Sequence, residues 1–364
     1  MVRIEYSPAC SHFSHLNWNH NNATSGWWRE TDLFKHNSLL ISAYYGMNYK
    51  NFRKDLNIPE NVLLIGDSGG FQNATLSKVK INPVEVLKWQ EQNCDIGFIL
   101  DVPPYDFSGS RSLSGNASEL FDESLKETKQ NVERVLPYRN KESKMKWYGV
   151  IQGQTYKQQE KWFNELKDYM FDGWALSPKP ASNPWIVASY LLFAYEKGIK
   201  NIHILQVSGI KCMQVIYYIS KYFPKDSIIT FDSSSFIKWG SELRKFQLAP
   251  FSNNFISVTK NNISNLHCDC PICKNVDFQM FKEKGGKNGF FLSLHNLYMK
   301  LKENKILNEL INNSEEEFKK MCSNEILECF EYIDYSIQNG IKNGNEKYTR
   351  KFKISDSKQK TIWD

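Results

Sequence analysis

Short apolar runs rich in β-branched and aromatic residues recur along the chain. They cover 39–45, 62–66, 96–101, 147–151, 171–176, 202–207, 227–232 and 254–258, and each is short enough to be a strand. Between them, 83–93, 118–138, 157–169, 185–197 and 212–223 place apolar residues every three to four positions, as amphipathic helices do. Strands alternating with helices are the pattern of parallel βα units. Eight of them predict an α/β fold, a closed (β/α)8 TIM barrel, with an open doubly wound sheet as the alternative. The pattern breaks at 261–274, a Gly/Lys-rich loop follows at 282–289, and helical spacing returns through Leu294, Leu297, Leu301, Ile306 and Leu310. A further helix is expected over 314–340, opened by the acidic run 315–317. The expected organisation is therefore a barrel with an N-terminal extension over 1–260, a small insertion over 261–295, and C-terminal helices and tail over 296–364.

A chain of 364 residues with 41 % hydrophobic side chains can bury a sizeable core. No apolar run is long enough to span a membrane, and the first residues lack the apolar stretch of a secretory leader. Of the eight cysteines, three cluster at 268–273 and five are scattered, which points to a metal site in a reducing cytoplasm and away from a disulfide framework. The net charge of +6 and the 14 % aromatic content suit a polyanionic partner with stackable bases.

The candidate chemistry sits where the expected strands end, at the catalytic mouth of such a barrel. Asp67 follows one strand in GDSGGFQ, Asp101 ends the next in FILDVPP, Gln152 ends another in YGVIQG, and Asp232 ends a fourth in IITFDSSS. Each alone reads equally well as a helix cap. Together they make a site in which one carboxylate attacks carbon, another shuttles a proton, and a third beside a glutamine binds an amide-like edge. Ser68, Gly69 and Gly70 let a planar ligand approach the backbone. Phe71 is placed to stack on such a ligand, and Gly153 is grouped with the binding residues. Lys179, Lys238, Arg244 and Lys245 are candidate phosphate contacts.

Cys268, Cys270 and Cys273 form C-x-C-x-x-C, and His295 supplies a fourth ligand for a closed, structural zinc site. His267 competes as the fourth ligand but adjoins Cys268. The insertion is too small for a core of its own, so metal would supply its stability. His12, His15 and His20 have no familiar ligand spacing and read as loop residues. Trp27 and Trp28 read as core.

In this order and spacing, DSGGFQ at 67–72, Asp101, VIQG at 150–153, FDS at 231–233 and the cysteine–histidine set resemble the tRNA-guanine transglycosylase superfamily, over roughly residues 60 to 300. The resemblance implies exchange of guanine for a 7-deazaguanine through a covalent glycosyl intermediate. It implies Asp232 as nucleophile, Asp67 as general acid/base, Asp101 and Gln152 as readers of the guanine edge, and Phe71 as one face of the base slot. It brings with it structural zinc, a free 7-deazaguanine base and dimerisation around the zinc region. The family's basic Pro-Thr-Arg stretch after the nucleophile is here Ser233, Ser234 and Ser235. Its Gly-Gly-Leu is Ser177, Pro178 and Lys179, which puts a proline, with no N–H, where a backbone donor would meet the base. Its methionine on the strand before the nucleophile's is Gln206. With these departures the chain is most similar to the DNA-acting, DpdA-type branch of bacteria and phages. The expected partner is DNA, with a helper protein that opens the duplex. The alternatives are tRNA as substrate and a non-catalytic nucleic-acid-binding relative.

Overall fold

The computed structural model describes residues 2–10, 19–20, 23–24, 26–76, 80–105, 117–207, 209–252, 255–259, 268–277, 281 and 286–352. Eight parallel strands make up its main sheet: β1 (Arg3–Pro8), β2 (Ser38–Ser42), β3 (Leu63–Asp67), β4 (Ile96–Phe98), β5 (Lys146–Ile151), β6 (Gly173–Leu176), β7 (Asn201–Ile204) and β8 (Ile228–Ser233). Their spatial order is β1-β8-β7-β6-β5-β4-β3-β2. A parallel bridge from Ala9 to Leu40, with Cys10 N donating to Leu40 O at 3.1 Å, joins β1 to β2 and closes the ring. The expected TIM-like barrel is present.

One strand assignment is corrected. The eighth barrel strand comes from the N-terminus, Arg3–Pro8, which pairs with β8 in the register Tyr6 to Phe231 and Ser7 to Asp232. The run expected at 254–258 instead forms β10 (Phe255–Ser257), antiparallel to β9 (Lys245–Gln247) in a separate two-stranded sheet. Local β propensity cannot distinguish a hairpin strand from a barrel strand. RIEYSP hides its strand character behind charges and a proline.

Helices cover the barrel in chain order: α1 (Pro83–Asn93), α2 (Ala117–Val135), α3 (Tyr156–Leu166), α4 (Pro184–Glu196) and α5 (Ile210–Ser220). Their starts are written in the sequence. Asn82 caps Val84 N ahead of Pro83, Asn183 caps Trp185 N and Ile186 N ahead of Pro184, and Thr155 with Gln158 closes a capping box. After β8 the chain runs through the hairpin to the long helix α6 (Gly286–Asn313), which starts inside the stretch expected as a loop and packs on β1 and α5. Then α7 (Glu315–Lys320), α8 (Asn324–Asn339) and α9 (Ile341–Lys347) follow, and α8 lies across α4 and α5. That outer layer explains why α4 is buried on nearly every side.

The barrel lumen is identified by one contact. Phe98 on β4 and His203 on β7 are separated by two strands, yet their rings lie 4.9 Å apart. Only side chains crossing the interior can meet this way. His203 pairs in register with Thr230 on β8, so strand alternation turns Asp232, two residues on, to the same face. Trp27 and Trp28 are buried in the core, as expected. His12, His15 and His267 lie outside the described residues. Among the described residues, no helix is long and apolar enough to cross a membrane.

Candidate active site and metal centre

Asp67, Asp101, Gln152 and Asp232 meet at the C-terminal end of the barrel. Gln152 Nε2 donates to Asp101 Oδ2 at 2.7 Å, with both residues buried. Gln152 Oε1 is buried and has no protein partner, which leaves an acceptor for a ligand. Asp67 is the last residue of β3 and accepts from Gly69 N at 3.2 Å. Burial, then the charges of Asp101 and Asp232, push its carboxyl up to about 7, against the pull of hydrogen bonds from Gly69 and Ser42. Burial also raises Asp101, opposed by the Gln152 hydrogen bond and the Lys179 charge.

Asp232 is held through one oxygen. Gln206 N donates to Oδ1 at 2.8 Å, and His203 Nε2 lies 3.2 Å from the same atom. His203 Nδ1 sits 2.7 Å from Thr230 Oγ1. Thr230 Oγ1 also donates to Ile202 O at 3.2 Å. An ionised carboxylate only accepts, so a contact with Asp232 calls for a proton on His203 Nε2. Gln206 reaches Asp232 with φ at 63°, in the left-handed region, a backbone conformation that L residues adopt when neighbouring contacts hold it.

The glycines of DSGGFQ have separate duties. Gly69 adopts φ of 83° to turn the chain out of β3. At Gly70, a β-carbon would lie 2.7 Å from Asp101 O and 2.9 Å from Asp101 Oδ1, so only glycine lets the short helix Gly70–Thr75 abut Asp101. Ser68 is buried and its Oγ accepts from Gly70 N at 3.3 Å. Phe71 is partly buried in the first turn of that helix. Gly153 has φ of 122°, and a β-carbon there would meet Gln158 Cβ at 2.8 Å; its visible work is the turn from β5 into α3.

Two of the expected phosphate contacts point elsewhere. Arg244 Nη2 donates to Phe281 O at 2.6 Å, and Lys245 Nζ bonds Ser257 Oγ across the hairpin at 2.7 Å. Lys179 turns to the mouth, where Nζ donates to Gln206 Oε1. Burial lowers its ammonium to about 8 while Asp232, Asp101 and Asp67 hold it up. Sequence reasoning assigned no role to His203. A histidine in the apolar run NIHI looks like core, and the only available signal is that its lumen-facing register is that of Asp232.

Cys268, Cys270, Cys273 and His295 bring their ligand atoms within 4.8 Å of one another. His295 Nδ1 lies 3.3 Å from Cys270 Sγ and 3.5 Å from Cys273 Sγ, close to the edge of about 3.5 Å that a tetrahedron with zinc-like bond lengths requires. His295 Nε2 donates to Gln247 O at 2.8 Å, and its ring stacks on Phe246 at 3.9 Å. Those contacts fix the ring with Nδ1 toward the thiols. The cluster is compatible with a structural metal such as zinc, held between the insertion, β9 and α6.

Fold and site together define a TIM-like (β/α)8 protein with an acidic mouth and a Cys3His cluster near its C-terminus. The chain is distantly similar to two tRNA-guanine(15) transglycosylases. The protein of Methanococcus aeolicus is 23 % identical over 251 residues, covering 66 % of this chain and 36 % of that protein. The protein of Methanocaldococcus jannaschii is 32 % identical over 96 residues, covering 26 % of this chain and 13 % of its own length. The chain thus aligns with about a third or less of each relative. No family model matches it.

Proposed function

We propose that the chain is a guanine transglycosylase that replaces guanine in a nucleic acid, DNA in the first instance, with a 7-deazaguanine. The observation that carries the reading is the tethering of Asp232: among the described residues its two hydrogen-bond contacts both fall on Oδ1, and its charge acts on Asp67 beside the Asp101–Gln152 pair, which supports Oδ2 as the reactive oxygen. The distant relationship to tRNA-guanine transglycosylases supports the same chemistry.

In this mechanism Asp232 Oδ2 attacks C1′ of the sugar as the C1′–N9 bond breaks, forming a glycosyl ester. The transition state has oxocarbenium character, which the carboxylate also stabilises. Asp67, its acidity poised near neutrality, donates a proton to the departing guanine and accepts the N9 proton of the incoming base. N9 of that base then attacks C1′, the ester bond breaks, and Asp232 is regenerated with retention. Asp101 Oδ1 and Gln152 Oε1 are acceptors suited to the N–H edge of guanine. Phe71, Ser68, Gly69, Gly70 and Gly153 form or support the slot. The target nucleotide must be turned out of any duplex to reach this depth. Zinc at the Cys3His cluster would brace the hairpin and α6 and take no part in the reaction.

DNA is preferred because Ser233, Ser234 and Ser235 stand directly after Asp232 in place of a basic stretch. A tRNA substrate is the second reading, favoured by the names of the two relatives. Incubating purified protein with labelled guanine and, separately, duplex DNA, single-stranded DNA and tRNA tests both. Label entering DNA alone supports the proposal. Label entering tRNA alone moves the substrate to the second reading, and no label in any arm refutes base exchange.

A further inference from the structure

The residue that holds Asp232 must itself be held. Gln206 is exposed, yet it stands in the left-handed region with φ of 63°. Packing does not fix it there, and an L side chain keeps that conformation only where contacts impose it. The backbone bond between the ends of β7 and β6, from Leu205 N to Leu176 O at 2.9 Å, lies one residue earlier. Two polar bonds act on Gln206 itself. Its backbone N–H donates to Asp232 Oδ1 at 2.8 Å, and its side-chain Oε1 accepts from Lys179 Nζ at 2.5 Å. Lys179 stands three residues beyond the end of β6. Lysine and glutamine therefore strap two strand ends together beyond that backbone bond.

The charge of Lys179 interacts with Asp232 of β8, Asp101 beyond β4 and Asp67 of β3 together, and His203 of β7 faces Asp232 from the other side. Among the described residues, the lysine's hydrogen bond goes to the neutral amide of Gln206. It offsets the repulsion among the carboxyl groups through charge and leaves their oxygens to a substrate. We propose that Lys179 is a positioning residue: through Gln206 it sets the backbone donor that orients Asp232 for attack on the sugar, and its charge lets three carboxyl groups gather at one mouth. The inference rests on the base-exchange reading and adds a residue to its machinery. Because Lys179 acts through the holder of the nucleophile, its loss is felt in the turnover of bound substrate more than in binding.

The test compares wild type with Lys179→Met, Lys179→Arg, Gln206→Met and the double variant Lys179→Met/Gln206→Met, in steady-state exchange of labelled guanine into the nucleic acid that wild type accepts. Lys179→Met should lower kcat by roughly tenfold or more, since small misplacements of reacting groups are costly, with KM little changed. Lys179→Arg should restore most of the loss. The double variant should be no slower than Lys179→Met alone, because both substitutions cut the same strap. Losses that multiply in the double variant would overturn the proposal. Removing the cation should also move the ionisation of Asp67 upward from about 7 by roughly one pH unit in the kcat/KM profile, and Lys179→Arg should leave it in place. A merely structural lysine would not move that limb. Amide hydrogen exchange at Gln206, read by NMR, needs no substrate. It should quicken by about tenfold or more in Lys179→Met and stay slow in Lys179→Arg; equal exchange in wild type and Lys179→Met would overturn the proposal. If wild type transfers no base to any nucleic acid, the base-exchange reading falls, and exchange at Gln206 alone decides whether the strap exists. Circular dichroism of each variant confirms that the barrel is intact.

Discussion

At the scale of single residues, position in the lumen decides what each side chain can do. Asp67 and Asp232 are the same residue type at the ends of parallel strands, yet one is tied by His203 and Gln206 while the other is raised toward neutrality. The raised carboxyl has two consequences. Base exchange should show an ionisation near 7 that disappears in Asp67→Asn, read from the pH dependence of kcat/KM. Stability should respond as well. Because the folded carboxyl keeps its proton to about 7 while the unfolded one releases it near 4, the native state binds more protons across that window, and this residue's contribution falls as pH rises through it. Asp67→Asn should therefore gain Tm relative to wild type at pH 8 compared with pH 4; an equal difference at both pH values would show that Asp67 is not perturbed. His203 acts through Asp232. Its replacement by Phe should lower kcat by about a hundredfold, the usual cost of losing one preorganised donor, with KM little changed, while Gln should restore part of the loss. An unaltered kcat in His203→Phe would remove it from the site.

At the scale of elements, much of the fold is legible in the sequence. The positions of Asp67, Asp101, Gln152 and Asp232 could be read because buried parallel strands are short apolar runs and a polar residue at or just past their ends stands out, although the strand expected to end at Asp101 stops at Phe98. The helix starts could be read because Asn82, Thr155 and Asn183 are capping residues beside proline or glutamine. The strand β1 was hidden because Glu5 and Pro8 break its apolar pattern, and its partners, β8 and β2, are distant in sequence. Its place makes a test. Deleting residues 2–9 removes the stave that joins β8 to β2 and should abolish cooperative thermal unfolding; a deletion that melts like wild type would mean the barrel does not depend on β1. The helix Gly70–Thr75 makes another. Gly70→Ala forces a methyl against Asp101 and should raise the Kd for guanine by about tenfold, and it should also lower Tm, since overpacking of this kind costs roughly 1–3 kcal/mol of stability. Unchanged affinity would separate this helix from the base slot.

At the scale of the whole molecule, the barrel and the Cys3His cluster form one mechanical unit. The cluster's histidine belongs to α6, which packs on β1, and its ring bonds to Gln247 of the hairpin. Removing a bound metal should therefore lower the melting temperature of the barrel as well as that of the insertion. Calorimetry with and without a chelator, alongside elemental analysis for zinc, reads this; an identical melt after verified metal loss would confine the cluster to a local role. Base exchange by this mechanism requires Asp232 to bond to the sugar. The most direct measurement is mass spectrometry of the denatured protein after incubation with a guanine-containing oligonucleotide, without added free base. A covalent nucleic-acid adduct mapping to Asp232 is expected in wild type and should be absent from Asp232→Asn. An adduct on another residue, or base exchange by Asp232→Asn at the wild-type rate, would contradict it.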